Sequence, residues 1–441
     1  MELGKLSSIL QQNGIVGAGG AGFPTYAKLN KNAETIILNC AECEPLLRLH
    51  RQLLEKNARE IVDTFWSMGQ AMGSKNVIIG IKRAYVKAIE ALHAVLDDYE
   101  GVRLGLLDEV YPAGDEVVLI YEVTGKVVRP GGLPIECGVA VFNVETVYNV
   151  YQAIKKNTPV VDKLVSVVAE VNHPVTVRVP IGCTLDEVVA LAGGQKTEDA
   201  VYFVGGPMMG RIGTGAEPVT KTTNAILVLP KNHVIIQKKK RKASIDLKRA
   251  AASCCQCTMC TDLCPRNRLG HPIEPHKFML AATCKDVQDP NIFVNTLFCS
   301  SCGLCEMYSC MQSLAPRSLM TDYKAGLRGA GIKPPEDVVP KPVGEEREYR
   351  KVPMERLMAR LDLTRYDKEA PLHNEVVDMK RVRIMLSQHI GAPATAVVKV
   401  GDTVERGQMI AEPGQGLSVA IHASISGTVT EVNEKYVIIE K

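Results

Sequence analysis

Apolar positions in the first 160 residues recur with two alternating periods. Leu54, Ala58, Ile61 and Phe65 fall at three- and four-residue intervals, and so do Val86, Ile89, Leu92 and Leu96. That spacing puts one apolar stripe along a helix. Short runs with few polar breaks lie between and before them: Thr35-Ile36-Ile37-Leu38 and Asn76-Val77-Ile78-Ile79-Gly80-Ile81. Such runs read as buried strands. Leu6, Ile9 and Leu10 add a short helix ahead of the first strand. The alternation predicts an α/β domain over residues 1–160, with helices packed on a sheet.

From residue 161 to 237 the pattern changes. Val165–Val171, Val175–Val179 and Val201–Val204 read as strands. Thr184, followed three residues later by Glu187, predicts a capping box that opens a short helix. Strand, strand, helix, strand in so short a span resembles a β-grasp module of the SLBB kind. Lys238-Lys239-Lys240-Arg241-Lys242 reads as a solvated connection into residues 243–328, where the cysteines gather. Residues 329–375 are expected to be a linker, rich in proline and charge from Pro334 to about Arg350, with a helix within Val352–Leu363. Residues 376–441 alternate short apolar runs with glycine turns at Gly401, Gly407 and Gly427. This resembles the barrel-sandwich of biotinyl and lipoyl carriers. The Met-Lys pair at the hairpin tip of those carriers is missing, so a structural part is expected rather than a swinging arm.

Composition narrows the function. The 441 residues carry a net charge of +3, one Trp and seven Phe, which gives no footing for nucleic acid. No apolar run reaches the ~18 residues of a membrane span. Met1-Glu2-Leu3-Gly4-Lys5 lacks the layout of a secretory leader, so a reducing, cytoplasmic setting is expected and a disulfide framework is not.

Fourteen cysteines are present, and ten lie between Cys254 and Cys310. Cys254, Cys257, Cys260 and Cys264, followed by Pro265, spell C-x2-C-x2-C-x3-C-P. Cys299, Cys302, Cys305 and Cys310 spell C-x2-C-x2-C-x4-C. This is close to the spacing of a two-cluster ferredoxin, in which three thiolates wrap one cubane and the fourth comes from the other run; the second run departs from it by one extra residue before Cys310 and by Met311 in place of the usual proline. One [4Fe–4S] cluster is therefore assigned to Cys254, Cys257, Cys260 and Cys310, and the other to Cys299, Cys302, Cys305 and Cys264. Zinc knuckles would use paired rather than triple cysteines. Cys255 and Cys284 are left spare.

Gly17-Ala18-Gly19-Gly20-Ala21-Gly22-Phe23-Pro24-Thr25 contains G-x-G-x-x-G, and Glu42 stands twenty residues past Gly22. A dinucleotide fingerprint must follow a strand, and here a helix precedes it, so the Rossmann reading is rejected. The small residues still let backbone N–H groups approach a phosphate, with Lys28 as an added charge.

Four ordered segments then resemble the NADH-binding flavoprotein subunit of respiratory complex I. They are Gly17–Thr25, Asn39-Cys40-Ala41-Glu42-Cys43-Glu44-Pro45, Tyr111-Pro112-Ala113-Gly114-Asp115-Glu116 and Asn143-Val144-Glu145-Thr146. The modules together resemble the RnfC family. In RnfC the barrel-sandwich lies near the N-terminus; the C-terminal position here, in Gln388–Pro393 and His422–Gly427, is similar to the PduS family of cobalamin reductases. The implied fold class is a multidomain α/β protein: a complex I flavoprotein-like FMN domain, an SLBB-like β-grasp domain, a helical two-[4Fe–4S] ferredoxin domain and a C-terminal barrel-sandwich hybrid.

The resemblance implies noncovalent FMN with NADH as hydride donor. Gly17, Gly19, Gly20 and Gly22 would line the flavin, and Lys28 would stand near its phosphate or ribityl chain. Asn39 and Asn143 would hydrogen-bond the flavin, with Tyr111 and Asp115 in the same site. Glu42, Glu44 and Glu116 would border the nicotinamide, and Phe23 would stack on NADH. Val16, Ala18 and Ala41 depart from the flavoprotein's arginines and acid. The implied function is an NADH-dependent oxidoreductase that passes electrons through FMN and two clusters to cobalamin, inside a bacterial microcompartment with an adenosyltransferase and shell proteins as partners. The competing readings are a relay that recycles NADH to a protein acceptor and a non-enzymatic iron–sulfur carrier. No residue pattern marks a corrin site; His389 and His422 read as structural.

Overall fold

The computed structural model describes residues 1–284 and 287–441. Its first domain is a four-stranded parallel sheet. The elements run α1 (Leu3–Gln12), β1 (Thr35–Asn39), α2 (Leu49–Met72), β2 (Asn76–Lys82), α3 (Val86–Leu96), β3 (Val102–Leu107), β4 (Val110–Tyr111), α4 (Glu116–Thr124), β5 (Val139–Asn143) and α5 (Val144–Lys156). Strand order is β3-β2-β1-β5. The middle of β1, Ile36-Ile37-Leu38, is apolar because helices cover both its faces. Ile36 and Leu38 join the core with Phe65 and Met68 of α2, while Ile37 points to Leu119 and Ile120 of α4. The stripe Leu54, Ala58, Ile61 and Phe65 is the buried face of α2, and Gly73 ends that helix at φ +73°, a conformation glycine adopts without a Cβ penalty.

The chain leaves β1 for β2 and β3 on one side and returns to β5 on the other. The order therefore reverses between β1 and β5, and the carboxyl ends of those strands open the crevice where open α/β sheets bind ligands.

The second module holds β6 (Asp162–Ala169), β7 (Val175–Pro180), α6 (Leu185–Leu191), β8 (Ala200–Val204), β9 (Arg211–Ile212) and β10 (Ala225–Pro230). The capping box forms as expected: Thr184 Oγ1 accepts from Glu187 N–H, and Glu187 Oε2 accepts from Thr184 N–H at 2.7 Å. The stretch 329–375 does more than connect. β11 (Val352–Pro353) pairs with β4, and β12 (Leu372–Val376) adds in parallel to β7, making a six-stranded sheet. Within Val352–Leu363 the helix spans Met354–Arg360.

The C-terminal module has two sheets, one of Arg381–Met385, Thr403–Val404, Gly427–Val432 and Tyr436–Glu440, the other of Thr395–Ala396, Met409–Glu412 and Ile421–His422. Val382, Ile384 and Ile439 share one core with Val165, Val177 and Val188 of the second module, so the two are packed as a unit. The basic run is corrected: Lys238 is buried and donates to Glu306 O at 2.7 Å, Lys239 donates to Gly210 O at 2.9 Å, and Arg241 to Ser313 O at 3.0 Å. These three cations tie loops together by satisfying carbonyls, while Lys240 and Lys242 are exposed as expected. No helix among the described residues is long and apolar enough to cross a membrane.

Candidate functional site

At the β1/β5 switch point Asn39 and Asn143 are register partners, one at the end of each strand. A cleft of about 250 Å³ opens above them, lined by Gly17, Gly19, Gly20, Gly22, Phe23 and Lys28 on one side. Asn39, Glu116, Asn143 and Thr146 line the other. Asn143 caps α5, its Oδ1 accepting from Glu145 N–H at 2.9 Å. Its Nδ2 lies 3.3 Å from His50 Nε2 and is so close to Gly19 that a Cβ there would sit 2.4 Å away. Only glycine fits. Asn39 Nδ2 donates to Gly114 O at 3.0 Å. Lys28 Nζ sits 3.1 Å from Glu116 Oε1 and 3.0 Å from Val141 O, and 6.0 Å from the Phe23 ring centre.

The glycine loop is held at one end by α5 and the second module, and at the other by the second and C-terminal modules. Ala18 N–H donates to Thr146 Oγ1 at 2.9 Å, and Ala18 O faces Lys163 Nζ at 3.5 Å. Lys163 is ion-paired with Glu145, and both are 2% exposed. Burial pulls the Lys163 pKa down, and Glu145 pulls it back up. Gly22, at φ +75°, is enclosed by Thr222 and by the Gln388–His389 backbone, and Ile390 N–H donates to Gly22 O at 3.3 Å. Lys221 is fully buried and donates to Gly14 O at 2.7 Å and Ala420 O at 3.2 Å. With no carboxylate to offset burial, its pKa falls to about 7. His389 is likewise engaged with backbone, Nε2 accepting from Val419 N–H at 3.3 Å.

Four of the expected site residues stand outside the cleft lining, each for a reason of its own. Glu42 accepts from His50 N–H at 3.0 Å, near the N-terminus of α2, where exposed N–H groups favour an acid. Glu44 accepts from Met208 N–H at 2.8 Å and Met209 N–H at 3.1 Å in the Gly205–Gly210 turn, and burial pushes its pKa up to about 7. Tyr111 donates to Cys302 O at 2.6 Å. Asp115 caps α4 and grips the Arg266 guanidinium, with contacts of 3.0 Å from Nε and 2.9 Å from an Nη. The spacing of the segments carried no information on which way these side chains turn. Thr146 and His50 were missed; Thr146 lay within a quoted segment, while His50 had no signal in its neighbours.

The eight cysteines surround two small cavities. Cys254, Cys257, Cys260 and Cys310 line one; Cys264, Cys299, Cys302 and Cys305 line the other. Each triplet is wound by two residues at positive φ in matching places, Gln256 and Thr258 in the first, Ser301 and Gly303 in the second. The extra residue of the second run is absorbed as a π turn over Cys305–Ser309, a one-residue insertion that keeps the flanking helical register and brings Cys310 to the other cavity. N–H groups point at sulfur: Gln256 Nε2 at 3.2 Å from Cys254, Ser301 N at 3.3 Å from Cys299, Leu314 N at 3.3 Å from Cys310. Among the described residues no three His, Cys, Asp or Glu side chains converge on a single metal ion; thiols arranged around a void suit a polynuclear cluster, whose ligands stand farther apart. The two sites are joined. One segment, Tyr111–Glu116, links them: Glu116 lines the glycine-rich cleft, while Tyr111 and Asp115 reach the second, inner cavity, that of Cys264, Cys299, Cys302 and Cys305, through Cys302 O and Arg266.

Family profiles match four successive stretches: the Nuo51 FMN-binding domain over residues 10–152, the SLBB domain over 164–212, a 4Fe-4S dicluster domain over 253–315 and the RnfC barrel sandwich hybrid domain over 365–441. An NAD+-reducing [NiFe]-hydrogenase, in the H2-reduced state, superposes with TM-score 0.51 at 21% identity, covering 77% of this chain and 64% of that one. The air-oxidized state gives TM-score 0.50 at 20% identity, covering 83% and 68%. Cobalamin reductase PduS of Citrobacter freundii is 39% identical over 97% of this chain and 94% of its own length. Cobalamin reductase PduS of Salmonella typhimurium is 41% identical with the same coverage, and at that identity over nearly the whole of both sequences the chain belongs to the PduS cobalamin reductase family.

Proposed function

We propose that this protein is an NADH-dependent cobalamin reductase that carries electrons from NADH through FMN and two [4Fe–4S] clusters to the corrin. The observation that supports it most is the single segment, Tyr111–Glu116, reaching from the glycine-lined cleft to the inner ring of thiols. The cleft suits FMN: the Gly17–Gly22 backbone offers small, close-packed N–H donors, Lys28 supplies a cation, and Asn39 and Asn143 offer side-chain amides. The cavities suit cubanes, each with four thiols. Bound FMN converts a two-electron hydride into single electrons, and the clusters accept them one at a time.

What this chain's residues do follows from their positions. Lys28 and the glycine loop hold the phosphate end. Asn143 fixes the loop against α5. Phe23, at the rim, offers a ring face to a nicotinamide. Glu116 holds Lys28 in place. The inner thiols lie on the flavin side, while Cys257 is exposed, which suits the outer cluster as the exit. Residence in a propanediol-utilisation microcompartment, with an adenosyltransferase and shell proteins close by, belongs to the same proposal.

The test is an anaerobic titration of reconstituted protein with NADH and then cob(III)alamin, followed by absorbance and EPR. Flavin bleaching, cluster signals and cob(II)alamin in that order are expected. Cys257→Ser should lose the outer signal and keep NADH oxidation by a dye that draws on flavin. Reduction of flavin and clusters without corrin reduction would assign the relay to a protein acceptor. No reduction by NADH would leave an electron carrier.

A further inference from the structure

We infer that Arg266, positioned by Asp115 and only partly screened by it, raises the reduction potential of the inner cluster above that of the outer one, so that electrons enter through Cys264, Cys299, Cys302 and Cys305. This rests on the reading of the eight cysteines as ligands of two clusters.

The two cavities differ in charge. Arg266 and Arg317 are in the wall of the inner one, and Lys324 Nζ donates to Cys299 O at 2.6 Å. Among the described residues the outer wall holds no Asp, Glu, Lys or Arg, and its one titratable side chain besides the thiols is His276; Arg360 reaches Cys310 O at 3.5 Å from outside, and Lys238 is turned to Glu306 O. Reduction adds a negative charge, so cations in the wall favour it, as do N–H groups aimed at sulfur. The backbone N–H groups of Arg266 and Asn267 both donate toward Cys264. Burial of Cys264 and Cys305 works the other way, and the guanidinium groups of Arg266 and Arg317 in the same wall oppose it.

Arg266 is held by the flavin domain. Asp115 grips it with two nitrogens from the same segment whose Glu116 lines the flavin cleft. The step concerned is one electron leaving reduced flavin and entering the inner cluster, [4Fe–4S]2+ becoming [4Fe–4S]1+. Two such steps account for one NADH oxidised to NAD+, with net release of one proton. Asp115 screens the cation that favours the step, so the two residues pull in opposite directions.

The experiment is an EPR-monitored redox titration of the reconstituted full chain. The signal that persists in Cys257→Ser identifies the inner cluster. In the wild type the inner cluster should have the higher midpoint. Arg266→Gln should lower that midpoint, Asp115→Asn should raise it, and Arg266→Lys should leave it near the wild-type value. Asparagine can still cap α4, so Asp115→Asn removes charge while keeping the fold. The outer midpoint is the internal reference and should stay fixed. Shifts of the same sign in Arg266→Gln and Asp115→Asn, a moving outer midpoint, or a lower inner midpoint in the wild type would each overturn the inference while leaving the two-cluster reading intact. A wild type with a single cluster signal would overturn both.

Discussion

Replacing Gly19 with alanine tests whether the glycine loop is shaped by Asn143. The new Cβ would stand 2.4 Å from Asn143 Nδ2 and 3.1 Å from its Cγ, where carbon contacts want about 3.5 Å. Asn143 must retreat by about 1 Å, and it is not free to do so, because its Oδ1 accepts from Glu145 N–H at 2.9 Å and Thr146 N–H at 3.4 Å. Losing that cap costs about 1 kcal/mol, which lowers the melting point of a domain this size by roughly 2–4 °C. Losing the side-chain amide from the cleft costs about another 1 kcal/mol of FMN affinity, or roughly a fivefold rise in Kd. The matched control is Gly20→Ala, whose Cβ meets nothing within 4 Å. The assay is thermal unfolding of flavin-free protein beside FMN titration by fluorescence quenching. Gly19→Ala should destabilise the flavin-free protein and Gly20→Ala should not, whatever either does to flavin. Adding Asn143→Ser, an equally good cap with a shorter reach, should recover the stability lost in Gly19→Ala. Equal melting points for the two alanine variants, or no recovery in the double variant, would refute the reasoning.

Glu145→Gln leaves the Lys163 cation buried without its partner, and denaturant unfolding should show a loss of about 3–5 kcal/mol; replacing both with apolar residues of similar size should restore much of it. Lys221 has its pKa lowered to about 7 by burial. Between that value and the ordinary lysine range the unfolded chain binds the extra proton, so stability should rise with pH there, by at most ~1.4 kcal/mol per unit from this group. Lys221→Met should flatten that part of the stability–pH curve, and an unchanged slope would mean the group stays charged in the folded protein.

Sequence carried the local features well. The capping box at Thr184 and Glu187 was legible because all its partners lie within one helical turn. The crossed grouping of the cysteines was legible because cluster geometry leaves few ways to place four thiols. The glycine loop could be separated from a Rossmann turn because a helix precedes it. Facing was less legible. Glu42 and Glu44 are two residues apart in a segment that lines the cleft through Asn39, yet one goes to α2 and the other to the Gly205–Gly210 turn. Which carbonyl or N–H each would meet depends on chain more than 160 residues away in the case of Glu44. The same holds for Lys238 and Lys239, whose charge suggested water and whose partners are distant carbonyls. β12 was hidden because parallel pairing to β7 joins segments almost 200 residues apart, and no short-range pattern encodes that register.

The C-terminal module meets the flavin domain through α1, with Ala420 N–H donating to Gln11 O at 3.1 Å and Gln11 Nε2 to Ser418 O at 3.2 Å, through Gly22 and through Lys221. Its neighbours in space thus include the first residues of the chain. The coding segment for the module could therefore sit at the front of the gene or at its back, with only the connecting peptide rerouted. A permuted version with the module joined ahead of α1 would keep these contacts and is an engineering target.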